Sequence, residues 1–149
     1  MAINRTVQAI FDKAMYLIDA QNESTGNTNN SDTQEYKVRT IGILNNLLDV
    51  VYPASDTFSA AVDGHRPALD DITGFEDELD LDARILRDVL PNGLAAKLLS
   101  EENPTLADYF QQCFEQSLAE ARNRIPASFE SIDDCLPYGG IEYGEFGRW

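Results

Sequence analysis

Apolar residues recur along this chain at steps of three and four, and four stretches keep that helical period. The strongest lies between Asp80 and Arg124. Leu86, Leu90, Leu94 and Leu98 hold a four-residue step straight across Pro91-Asn92-Gly93, which predicts one kinked helix rather than two. The proline works against it, since a lost hydrogen bond and a ring clash cost about 3 kcal/mol in a helix interior. A short turn, Ser100 to Pro104, leads to a second helix. Asn103 is placed to cap it and Pro104 to occupy its first position, where a missing N–H costs nothing. Its stripe is Leu106, Tyr109, Phe110, Cys113, Phe114, Ser117, Leu118 and Ala121, and Pro126 closes it. The connection is short enough to make the two helices antiparallel neighbours, with Leu90, Leu94 and Leu98 expected to face Phe110, Cys113 and Phe114.

Two more amphipathic helices precede this hairpin. Thr6 is placed to cap the first, which runs to about Ala20 with Val7, Ile10, Phe11, Ala14, Leu17 and Ile18 on one face. A polar stretch, Gln21 to Ser31, separates it from the second. There Asp32 and Glu35 give a capping-box-like start, and Tyr36, Ile43, Leu44, Leu47, Leu48 and Val51 form the apolar face up to Pro53. The fold class is therefore mainly α: four amphipathic helices around a C-terminal helical hairpin. None can bury its stripe alone.

The period breaks twice. From Pro53 to Leu79 the chain is an irregular insertion, with a possible β-hairpin formed by Thr57 to Val62 and an Asp63-Gly64 turn. Beyond residue 127 the composition shifts, and residues 128–149 read as an extended arm outside the helical domain of residues 1–127. Glycines alternate there with Tyr138, Ile141, Tyr143, Phe146 and Trp149, a run too aromatic for an inert linker. These five side chains are the candidate protein-interaction residues.

Charge narrows the function. The chain carries 26 acidic and 11 basic residues, a net charge of −15, which opposes binding to nucleic acid through phosphate neutralisation and to an anionic membrane. Asp70, Asp71, Glu76, Asp77, Glu78, Asp80 and Asp82 crowd one segment. That segment lacks the glycine and glutamate spacing of an EF-hand loop, so an exposed acidic face is expected rather than a metal site. No apolar run reaches the ~18–20 residues of a membrane span, and the first residues lack a signal peptide's apolar block, which places the chain in a cytosol by expectation.

Neither Cys113 nor Cys135 belongs to a Cys-x-x-Cys pair, and Cys113 is expected as a buried free thiol. The one histidine, His65, has no nucleophile motif to serve, and no phosphate-binding or dinucleotide-binding glycine motif occurs. The expectation is a protein without catalytic residues, cofactor or metal.

Three stretches carry a family resemblance: Val89 to Leu99, Ala107-Asp108-Tyr109-Phe110-Gln111-Gln112, and Leu118-Ala119-Glu120-Ala121-Arg122. Together with Tyr138-Gly139-Gly140-Ile141-Glu142, they resemble the head-to-tail connector (neck, or adaptor) proteins of tailed bacteriophages. The resemblance implies a structural virion protein that forms a homo-oligomeric ring, commonly dodecameric, beneath the portal protein. Such a ring carries the DNA channel, without sequence-specific binding, and docks the tail or the next neck protein. Its place would be the virion neck, and the host cytoplasm during assembly. The acidic segment and the aromatic arm depart from the simplest members. The competing readings are an acidic interaction module or DNA mimic that occupies a basic protein without forming rings, and an enzyme whose site carries no recognised motif.

Overall fold

The computed structural model describes residues 2–19, 26–59 and 64–124, and within them the protein is mainly helical, with four α-helices and no named strand. The expected strand and turn fall partly on residues 60–63, outside the described residues. Thr57 to Ser59 are irregular, and the one described β-pairing is an isolated antiparallel bridge between Thr6 and Glu78. The residues of the expected arm, 128–149, also lie outside the description.

Helix α1, Val7–Leu17, starts where the sequence places it: the Thr6 hydroxyl accepts the Ala9 amide at 3.3 Å. Val7, Ile10, Phe11, Ala14 and Met15 are buried. The helix stops short of Ala20 because Asp19 adopts a left-handed φ of 58°, which an aspartate tolerates better than most residues.

Helix α2, Gln34–Val51, starts by a different device from the expected Asp32 cap. Asn30 holds the turn, its Oδ1 accepting from the amides of Asp32 at 2.9 Å and Thr33 at 3.0 Å. Thr33 occupies the cap position with its hydroxyl donated to the Thr28 carbonyl, and Asp32 is exposed. Thr40, Leu44, Leu47, Leu48 and Val51 are buried, and a 3₁₀ turn at Tyr52–Ala54, carrying Pro53, ends the helix.

The helix through Pro91 is continuous, and a widened turn takes up the proline. A π-turn, Ile85–Val89, runs directly into α3, Leu90–Leu98. The Leu90 amide bonds the Ile85 carbonyl, five residues back, so the backbone opens where the ring of Pro91 would otherwise press on the carbonyl four residues before it. Asn92 Nδ2 donates to the Asp88 carbonyl at 2.9 Å in the same turn. Asp82 begins this helical path, its Oδ1 accepting the Ile85 amide at 2.9 Å.

Helix α4, Pro104–Asn123, is capped by Asn103, whose Oδ1 accepts the Leu106 amide at 3.2 Å. It runs antiparallel to α3, with Phe114 opposite Gly93 and Glu120 paired with Arg84. Two expected core positions are corrected. Tyr109 is 58% exposed and Cys113 is only half-buried, because both sit on the flank of the stripe, while Ala107 turns inward instead. The main core gathers α1, α2, α3 and the second half of α4, with Leu90, Leu94, Leu98 and Phe114 in it. Phe110 belongs to a smaller cluster with Ala95, Ala96, Leu99 and Ala107.

Polar ties fix α2 against the hairpin. Arg39 Nη2 donates to the Leu98 carbonyl at 2.6 Å, and the Tyr36 hydroxyl bonds Glu102. Burial first, then the bond to Glu102 and the nearby carboxylates, pushes the Tyr36 phenol up to about 12.

Two glycines should answer the same substitution with opposite signs. A Cβ on Gly93 would lie 2.8 Å from Phe114 Cδ2 and 3.1 Å from Leu47 Cδ1, whereas one on Gly42 meets nothing within 4 Å. Alanine gains about 0.8–1 kcal/mol over glycine in a helix interior, but overpacking a core costs about 1–3 kcal/mol. Urea unfolding should show Gly93→Ala destabilised and Gly42→Ala stabilised; equal shifts in both would mean that Phe114 yields. Tyr36 tests the tie to the hairpin. Its raised folded pKa means that the contribution is complete below the unfolded value of about 10 and is lost as pH rises toward about 12. Ultraviolet titration of the wild type against Tyr36→Phe should show the missing phenol near 12, moving down in Glu102→Gln.

Candidate interaction surface

The acidic segment lies across the start of α1 and is bound to it through main-chain atoms. A helix begins with amides that have no partner inside the helix. Here the Val7 amide bonds the Asp77 carbonyl at 3.0 Å and the Gln8 amide bonds the Phe75 carbonyl at 2.9 Å. The Leu79 amide returns to the Arg5 carbonyl at 3.0 Å, and Arg5 Nη1 donates to the Leu81 carbonyl at 2.7 Å. Ile72, Leu79 and Leu81 are buried beneath, while Asp70, Asp71, Glu76, Glu78 and Asp80 face outward. Asn45 of α2 secures the entry to the segment, exchanging hydrogen bonds of 2.7 and 3.1 Å with the backbone of Ile72.

Asp77 is, with Asp82, an exception among the acids, because its carboxylate is part of a turn. Its Oδ2 accepts from the amides of Thr73 at 2.7 Å and Gly74 at 3.0 Å, and from the Thr73 hydroxyl at 3.0 Å. The two amides, then the hydroxyl, hold its carboxyl below the ordinary range. With Asp70, Asp71 and Glu78 it borders a cleft of about 310 Å³. Among the described residues no group of three or more His, Cys, Asp or Glu side chains is placed to hold a metal ion.

A larger cleft of about 600 Å³ lies between the polar face of α1 and Gly26 to Asn29. Asp12 sits in it, accepting from Gln8 Nε2 at 2.6 Å and from the Thr28 hydroxyl. Exposed apolar side chains are scattered: Tyr16 on α1, Val38 and Val50 on α2, Phe58 in the insertion and Tyr109 on α4. Tyr109 stacks edge-on against Phe110, and the neighbouring Cys113 thiol raises its phenol.

The five side chains singled out in the sequence, Tyr138, Ile141, Tyr143, Phe146 and Trp149, lie outside the described residues. His65 is exposed in the insertion. What sequence reading missed is the main-chain seam between the acidic segment and α1. Backbone amides and carbonyls are the same in every residue and leave no mark in composition. The alternation of Ile72, Leu79 and Leu81 with outward acids was the available signal.

Compared with protein-family models, curated proteins and solved structures, the chain has no match.

The Asp77 turn has a signed pH dependence. Its depressed folded pKa means that the contribution is present above the unfolded carboxylate value of about 3.9 and is lost as pH falls through the folded value. Asp77→Ala should melt below the wild type at pH 7, and the gap should close in acid. A gap independent of pH would mean that the loss lies in packing rather than in the carboxylate.

Proposed function

We propose that this protein is a structural subunit of a tailed-bacteriophage neck, assembling as a ring beneath the portal protein and joining it to the tail or the next neck protein. The observation that carries the reading is the α3–α4 hairpin. The stretches that resemble connector proteins, Val89 to Leu99, Ala107 to Gln112 and Leu118 to Arg122, are the ones that form this hairpin at the centre of the fold. A mainly helical subunit with an acidic outer segment suits the role. Exposed carboxylates on a DNA conduit repel the phosphates and keep the duplex free to slide. Tyr138, Ile141, Tyr143, Phe146 and Trp149 are proposed as contacts with a neighbouring subunit or neck protein, each offering apolar area worth roughly 25 cal/mol per Å² buried. The ring is proposed as dodecameric, with its place in the virion neck and, before that, the host cytoplasm.

The test is assembly. Sedimentation and negative-stain microscopy of the full chain, alone and with a portal protein from a tailed phage, should show rings that dock on the portal. A chain cut after Pro137 should keep its helical circular dichroism and lose assembly or docking. A monomer that ignores portals and instead forms a one-to-one complex with a basic DNA-binding protein would overturn the reading in favour of a DNA mimic.

A further inference from the structure

A chain of net charge −15 repels its own copies unless the contact between them brings cations to the fore. The arginines are placed for that. Arg84 pairs with Glu120, which sets the start of the π-turn beside the last turn of α4. Four of the 11 basic residues, Arg84, Arg87, Arg122 and Arg124, thereby come to one end of the hairpin. Arg84 is engaged by Glu120. Arg87, Arg122 and Arg124 are exposed, and among the described residues none has a carboxylate within ion-pair distance. Of the other described basic residues, Arg5 lies 3.7 Å from Asp80, Lys37 sits over the Phe75 ring, and Arg39 is bonded to the Leu98 carbonyl.

The matching surface is on the same subunit. Asp70, Asp71, Glu76 and Glu78 are exposed and, among the described residues, without an ion-pair partner. Asp70, Asp71 and Glu78, each without an ion-pair partner among the described residues, border the 310 Å³ cleft, a space large enough for a guanidinium group. Arginine suits such a place, since its planar fork donates two parallel hydrogen bonds to one carboxylate.

We propose that the arginine end of the hairpin, Arg87 with Arg122 and Arg124, docks on the Asp70–Glu78 surface of a second copy of this chain. The two surfaces differ, so the contact is head-to-tail, and repetition closes a ring or extends a filament instead of stopping at a dimer. This deepens the assembly reading above and rests on it.

The experiment uses the full chain, with sedimentation velocity at low and high salt. The wild type should assemble at low salt and dissociate as screening shortens the Debye length from about 10 Å at 0.1 M to about 3 Å at 1 M. Arg122→Glu with Arg124→Glu should sediment as monomer, and so should Asp70→Lys with Asp71→Lys, each with unchanged circular dichroism. Mixing the two variants one to one should restore assembly, because each then offers the surface that the other lacks. The chain carrying all four changes should assemble alone. If a lysine variant misfolds, Glu76→Lys replaces it in the mixture. Assembly of the wild type with no effect of charge reversal overturns this contact while leaving the ring reading standing. Loss of assembly without rescue on mixing does the same. A wild type that stays monomeric under all these conditions overturns this contact, and one that also ignores the portal protein overturns both.

Discussion

Helix α3 has almost no side left for water, and this burial dictates where the other helices go. Seven of its nine residues are buried, from Leu90 to Leu98, and Lys97 is its exposed residue. A helix that is apolar all round needs neighbours on every flank. Three are supplied here: α4 across Gly93, α2 through Leu44 and Leu47, and α1 through Phe11 and Met15, all within one cluster apart from the glycine. Gly93 sets how closely α4 approaches, because the Phe114 ring occupies the space that any larger side chain would take.

The same burial explains why the helix stays unbroken at Pro91. Ending it there would strand Leu86 and Ile85 away from Leu90 and Leu94, losing roughly 1.5–3 kcal/mol for each large apolar side chain left exposed. A widened turn is the lesser cost. Ile85–Val89 keeps those side chains in the core while giving the proline ring room, and Asn92 serves the Asp88 carbonyl with its side chain. Arg84, at the start of this widened turn, pairs with Glu120 of α4.

Much of this fold was legible in the sequence. The step of four through Leu86, Leu90, Leu94 and Leu98, and the caps at Thr6 and Asn103, depend on nearby residues alone, and local chemistry decides them. The failures have a different origin. Asp32 and Asn30 are equally good turn formers on paper, and the buried Thr33–Thr28 contact selects Asn30. Tyr109 and Cys113 fit a broad stripe, but α4 is covered only along a narrower one, since α3 is its chief neighbour. The insertion was legible as irregular and acidic. Its attachment to α1 was not, because main-chain bonds carry no residue signature. Of the residues proposed for interaction, the aromatic set rests on composition alone and lies outside the described residues, whereas the gathering of Arg84, Arg87, Arg122 and Arg124 depends on a hairpin register that spacing does not give.

The seam between the acidic segment and α1 divides labour between atoms. Carbonyls and amides of Phe75, Asp77 and Leu79 hold the helix start, while the neighbouring carboxylates of Glu76 and Glu78 take no part in it. The outward charges are thus a replaceable coat on a fixed garment. Substitution at Asp70, Asp71, Glu76 or Glu78 can recolour the surface without unpicking the stitch beneath. Surface charge at these four positions is therefore separable from the fold, whereas Asp77 and the buried Ile72, Leu79 and Leu81 belong to the fold itself.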